Sequence, residues 1–248
     1  MRSAAGSYYG RRLASADYRA SRERKAALIY ALCADRLGSA RSVLDLGAGT
    51  GLITRALERL SGRPIVGLDL DRAFMEETER MAVADLLELP VADGAVDLGI
   101  ANHVYEHVAD LDAFFAEIGR VLAPGGAVYL TAGSKWAPIE PHYRIPTLSW
   151  WPEPVATKIL RWSGRGESYD DIRFVTHGRL VQTAARHGLV LDDRTDEALA
   201  TQIERYESRV GRAVGRTLRL VPGPLRRKLL AVASPQWFFF VRHAGEVG

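Results

Sequence analysis

Apolar positions along the chain recur in alternating rhythms of helix and strand. Tyr18, Leu28, Leu32 and Leu37 stand among charged residues between positions 17 and 37, predicting an amphipathic leading helix that ends near Gly38. SVLDL (42–46) then reads as a buried strand, and Ile53, Leu57 and Leu60 give residues 50–60 the spacing of a helix. PIVGLDL (64–70), the short MAVAD (81–85) and AVDLGIAN (95–102) read as three further strands. LDAFFAEIGRVLA (111–123) places Leu111, Phe114, Phe115, Ile118 and Leu122 on one helical stripe that Pro124-Gly125-Gly126 stops, and AVYLTA (127–132) is a fifth strand. Strands separated by helices imply right-handed crossovers, hence an α/β fold with a mostly parallel, doubly wound, Rossmann-like sheet.

After residue 132 this rhythm breaks. Residues 133–175 hold Trp136, Tyr143, Trp150 and Trp151 with five prolines, too irregular for a sheet element and too aromatic for a linker. They read as a lid, or equally as a small satellite core. The pattern resumes with a helix over 176–188, capped by Thr176 and closed by Gly188, and a sixth strand at 189–195. A helical stretch over 196–220, a Pro-Gly-Pro break at 222–224, a short helix and a last strand, QWFFFVRH (236–243), complete the chain. One domain over 1–248 follows, with its core at 40–132, 176–195 and 236–243. The inserts 133–175 and 196–235 serve as lid or substrate-binding region.

Composition narrows the class without naming a chemistry. The 248 residues carry a formal net charge of +3 and are 47% hydrophobic, enough to bury one large core. That excess of positive charge is too small and too scattered for a nucleic-acid binder. Cys33 is the single cysteine, which leaves no disulfide framework and no cysteine-based zinc site. The first residues have no apolar core of the kind a signal peptide needs, and no apolar run approaches the roughly 20 residues that span a bilayer. A cytoplasmic setting is expected.

Candidate chemistry gathers where strands end. VLDLGAGTG (43–51) sets Gly47, Gly49 and Gly51 at alternate positions after the first strand, a junction where backbone can approach a ligand closely. A dinucleotide fingerprint requires G-x-G-x-x-G, and Leu52 stands where its last glycine would fall. Asp69 lies twenty residues beyond Gly49, placed to accept ribose hydroxyls, although it can also cap a following helix. Asp85 and Leu86 follow the third strand, where an acid can accept an exocyclic amine. NHVYEHV (102–108) closes the fourth strand, and His103, Glu106 and His107 at i, i+3 and i+4 would share one helical face. That spacing suits a metal ion, but pocket lining is the preferred reading and no metal is expected.

These segments in this order resemble the class I S-adenosylmethionine-dependent methyltransferases, in particular the small-molecule branch that includes quinone-biosynthesis enzymes. The resemblance rests on VLDLGAGTG, GLDLD, LPVADGAVDLGIANHVYEHV and RVLAPGG, covers about residues 40–132, and extends more loosely to 176–195 and 236–243. It implies a seven-stranded sheet whose last strand is antiparallel. It also implies S-adenosylmethionine as methyl donor and S-adenosylhomocysteine as product. Gly47, Ala48 and Gly49 would lie against the amino-acid tail of the cofactor, with Asp45 orienting its ammonium. Asp69 and Leu70 would hold the ribose, Asp85 and Leu86 the adenine, and Asn102 and His103 would lie near the sulfonium. Methyl transfer mainly needs alignment and exclusion of water, with a base for some acceptors. His142 in the aromatic insert is the first candidate base, ahead of His107, Tyr143 and Glu140.

The acceptor expected is a small aromatic, isoprenoid, natural-product or glycolipid-like molecule methylated on oxygen or carbon. Eight basic residues between Arg205 and Lys228 read first as a solvated face, and as the alternative a surface for peripheral contact with an anionic membrane or lipid carrier, to which Arg11, Arg12, Arg19, Arg22 and Arg24 would add. A nicotinamide-dependent reductase and an inactive partner protein of the same fold remain as alternatives. Oligomeric state is not readable from the sequence.

Overall fold

A computed structural model describes residues 16–73, 75, 80–205 and 220–246. Seven strands form one sheet: β1 (Val43–Leu46), β2 (Val66–Asp69), β3 (Met81–Val83), β4 (Val96–Asn102), β5 (Leu122–Gly133), β6 (Leu189–Asp193) and β7 (Gln236–His243). Their spatial order is β3-β2-β1-β4-β5-β7-β6. Pairing is parallel from β3 through β5, whereas β7 runs antiparallel to both β5 and β6. Residues 1–15 and 206–219, with Arg11, Arg12, Arg209, Arg212, Arg216 and Arg219, lie outside the described residues.

Helices cover both faces. α1 (Ala16–Ser39) and α2 (Leu52–Ser61) pack on one side, contributing Leu28, Ile29, Leu37, Ile53 and Leu57 to a core shared with Leu98, Ile100 and Tyr129. α3 (Leu111–Val121) and α5 (His177–Arg186) pack on the other through Phe114, Phe115, Ile118, Leu180 and Ala184. β7 shows why both layers form: Trp237, Phe239 and Val241 join one core while Phe238 and Phe240 join the opposite one. The two-residue period of a strand sends successive side chains to opposite faces, so an unbroken aromatic run suits only a strand buried on both sides.

Local signals set the boundaries. Asp110 caps α3, its Oδ1 accepting the N–H groups of Asp112 and Ala113. The helix stops at Val121, and β5 begins at Leu122, so Pro124-Gly125-Gly126 lies inside the longer strand rather than ending the helix. The register between β4 and β5 shifts at that point, between Val96 and Leu98.

The insert departs most from its sequence reading. It contains a helix, α4 (Glu153–Trp162), started by Pro154 near its N-terminus. Ile145, Leu148, Ala156, Leu160, Tyr169 and Ile172 form its own small core. The tryptophans chosen as the lid's substance are largely outside it: Trp136, Trp150 and Trp151 are exposed, with Trp136 and Trp150 stacked edge to face. Mostly aliphatic residues, which carry less visual weight in the sequence, do the packing, together with Tyr169. Farther along, α6 (Thr195–Arg205) follows β6, and α7 (Gly223–Ala233) precedes β7.

Candidate active site

The carboxyl ends of β1, β2 and β4 lie side by side, and the turns that leave them make one continuous rim. Open α/β sheets bind ligands along that edge. The glycine loop is fastened there. Gly47 and Ala48 both donate their N–H groups to Leu68 O, at 2.8 and 2.9 Å. Gly47 has φ 72°, and a Cβ there would meet Val104 Cγ2 at 2.6 Å, so conformation and space both require glycine. Gly49 also has positive φ, but nothing stands within 4 Å of where its Cβ would be: the loop there faces open space.

Asp69 ties that loop to β2. Its Oδ2 accepts the Gly49 N–H at 2.7 Å and its Oδ1 accepts the Asp71 N–H at 3.0 Å. Asp45, beneath the loop, is buried and accepts a 2.6 Å hydrogen bond from Thr54 Oγ1. Burial pushes its carboxyl up to about 6; the Thr54 bond lowers it and the nearby Asp69 charge raises it. α2 starts immediately after at Leu52 with no side-chain cap and no acid in its first turn, leaving its positive end open toward the loop.

Asp85 is exposed, and its Oδ1 accepts the Leu87 N–H at 2.9 Å, while Leu86 packs against the core. Leu70 is exposed. Asn102 ends β4, and His103 follows with φ 57°, a left-handed conformation strained for a residue with a side chain. The His103 N–H donates to Thr131 O at 3.0 Å, while Nδ1 lies 3.1 Å from Glu106 Oε1 and Nε2 3.2 Å from Gln236 Oε1. Burial, with the Lys25 charge, pushes its imidazole down to about 4 against the pull of Glu106, so the ring is neutral at pH 7. Burial alone would raise Glu106, yet its bond to His103 holds it below the usual carboxylate range.

A cavity of about 200 Å³ opens at the β4 end of this rim, between α1 and the ends of β4, β5 and β7. Arg24 and Lys25 from α1, Asn102, His103, Gln202 and Gln236 line it. Sequence reasoning assigned Asn102 and His103 here but missed Lys25, Gln202 and Gln236, and read Arg24 only as part of a basic arm. Gln236 had a signal available. It opens an antiparallel strand, so it sits opposite Gly133 at the carboxyl end of β5, where the cavity lies.

His142, His107 and Tyr143 are not among the residues that line this cavity. His142 Nδ1 is 2.7 Å from Glu140 Oε1, and Glu140 Oε2 accepts the Tyr143 N–H at 2.6 Å. His142 Nε2 is 3.2 Å from His107 Nε2. The expected face of His103, Glu106 and His107 is not helical: residues Tyr105–His107 form a single 3-10 turn. There Glu106 and His107 meet His142 from the insert instead.

The seven-stranded order, the lone antiparallel strand and the glycine loop at the rim together define a class I S-adenosylmethionine-dependent methyltransferase fold. Residues 44–130 match the sequence model of a methyltransferase domain, which bears out the resemblance read from the motifs. The chain is similar to a malonyl-[acyl-carrier protein] O-methyltransferase of Legionella pneumophila, 34% identical over 101 residues, covering 37% of this chain and 36% of that one. It is also similar to a ubiquinone biosynthesis O-methyltransferase of Rhizobium etli, 28% identical over 163 residues, with 62% and 61% of the two chains covered. The alignment thus spans about a third of the first relative's length. Among solved structures, an S-adenosylmethionine-dependent methyltransferase from Mesorhizobium loti superposes with a TM-score of 0.54 at 17% identity, covering 87% of this chain and 98% of that one.

Proposed function

We propose that this chain transfers the methyl group of S-adenosylmethionine to a small organic acceptor held in the cavity beside His103. One observation carries the reading: Asp69 holds the glycine loop through the Gly49 N–H while Asp45, bonded to Thr54, lies buried at the end of the neighbouring strand, on the same sheet edge whose β4 end supplies Asn102 and His103 to the cavity wall. The residues suit this cofactor chemically. Gly49 leaves open space over the loop, and the buried Asp45, raised to about 6, gains from any cation brought beside it. When bound, the cofactor supplies an activated methyl on a sulfonium.

The chain's own residues then bind, orient and exclude water. Asp45 answers the ammonium and the open end of α2 the carboxylate of the amino-acid tail. Asp69, with Leu70 beside it, takes the ribose, and Asp85 with Leu86 the adenine. Gly47 and Ala48 keep the backbone low enough for close approach, and Asn102 and His103 face the reacting methyl. His103 is held between Glu106 and Gln236, and Asn102, Gln202 and Gln236 in the same wall offer the polar groups that orient an acceptor. His142, oriented by Glu140 and 3.2 Å from His107, is the base proposed on the insert side, with Tyr143 bonded to the same carboxylate as its support.

For the acceptor, an aromatic, isoprenoid or glycolipid-like molecule is favoured. α7 supports contact with a lipid surface: Leu225, Leu229 and Val232 are exposed at helical spacing beside exposed Arg227 and Lys228. Arg226 turns inward to an ion pair with Asp196. No helix among the described residues is long and apolar enough to cross a membrane.

Calorimetric titration with S-adenosylhomocysteine and, separately, NADH tests the reading. Saturable heat with the first and none with the second is expected. The reverse result would establish the reductase alternative and overturn the proposal.

A further inference from the structure

The face of α1 that meets the sheet changes character at the cavity. Leu28, Ile29, Cys33 and Leu37 recur at helical spacing and share a core with Leu98 and Ile100. One turn earlier the same stripe runs through Ser21, Arg24 and Lys25, at i, i+3 and i+4 with Leu28 at i+7, and all four line the cavity. Apolar residues at these positions would simply extend the core. Two cations there break the local pattern, and such breaks gather at functional sites.

None of the described residues that line the cavity is acidic. Glu23, next to Arg24 in sequence, pairs with Arg59 on α2 instead, and Glu106 turns its Oε1 to His103 Nδ1. The Lys25 charge is felt at the cavity wall, where it is second only to burial in lowering the His103 imidazole. Positive charge set in low-dielectric walls focuses the field and concentrates anions. A guanidinium presents a fork of N–H donors that matches the oxygens of a carboxylate or phosphate, and an ammonium adds a point charge. Beyond the two cations the wall turns apolar, through the buried Leu28, Ile29 and Phe238.

We infer that the cavity takes an amphiphilic organic anion, its carboxylate or phosphate head held by Arg24 and Lys25 and its apolar body laid against Leu28, Ile29 and Phe238. Arg24 is exposed and Lys25 half-buried, so the head lies toward solvent and the body inward. The inference rests on the methyltransferase reading only in making this anion the acceptor; its binding is independent of that reading.

The full chain is titrated calorimetrically with three probes that share one ring system: naphthoate, naphthyl phosphate and the uncharged naphthamide. At least one anion should bind saturably and at least tenfold more tightly than the amide, and the tighter of the two identifies the head. Arg24→Gln and Lys25→Gln should each weaken that anion by about tenfold, the worth of one charge-assisted hydrogen bond, and leave the amide unchanged. Circular dichroism verifies the fold of each variant. S-adenosylhomocysteine, titrated into the same samples, reads the cofactor site separately. If it fails to bind while the anion binds, the methyltransferase reading falls and the anion site stands. Equal affinity for anions and amide, or no saturable binding by either anion, would overturn the inference. So would an anion preference that survives the combined Arg24→Gln and Lys25→Gln change.

Discussion

The backbone N–H of Gly49 donates to Asp69 Oδ2 at 2.7 Å, joining the loop after β1 to the end of β2. The acid expected to hold a ribose therefore also sets the shape of the loop expected to hold the amino-acid tail. Asp69→Ala should weaken S-adenosylmethionine affinity at least tenfold, since it removes an acceptor and frees the loop together. Calorimetry checks this, and unchanged affinity would remove the ribose assignment.

Asp45 should show a trade between stability and binding. Its folded value, about 6, is above its ordinary 3.8, so the fold disfavours the ionised form. The sign follows: the penalty is absent below the ordinary value, grows as pH rises from about 4 to 6, and is complete above 6. Two units correspond to at most about 3 kcal/mol. Asp45→Asn should therefore melt higher than the parent at pH 7.5, converge with it near pH 4, and bind cofactor more weakly. Equal melting temperatures at pH 7.5 would contradict the buried charge.

Gly47→Ala should destabilise the chain by about 1–3 kcal/mol, because it combines positive φ with a 2.6 Å approach to Val104 Cγ2. Gly49→Ala meets no neighbour in the protein, so its effect should fall more on cofactor affinity than on stability. Thermal melts and calorimetry on the pair separate the two roles.

Much of this architecture was readable because periodicity and burial agree. The run Trp237–Val241 alternates between two cores, and the helix from Leu111 presents Phe114, Phe115 and Ile118 to one of them. The glycine loop was readable because positive φ at Gly47 and Gly49 restricts residue type. The insert was not. Its core is built from Leu148, Ala156 and Leu160, whose spacing carries weight only once α4 is known, whereas its conspicuous tryptophans remain exposed. The meeting of His107 with His142 joins residues 35 apart through a turn and a loop, a distance over which no local pattern extends.

His103 and His142 should behave differently when replaced. His103→Ala opens the cavity wall and removes the partner of Glu106 and Gln236, so both turnover and acceptor KM should change. His142→Ala should reduce turnover more than cofactor affinity. Equal loss of both would assign His142 to the fold of the insert alone.

The central claim is methyl transfer to a small molecule, and one measurement addresses it directly. The chain is incubated with a whole-cell extract and S-adenosylmethionine labelled in its methyl group, beside the Asp69→Ala variant, and the products are separated by size and by partition into organic solvent. Label in a small molecule, entering the organic phase and lost with the variant, is the predicted result. Label confined to protein or nucleic acid, or equal transfer by both chains, would contradict the account.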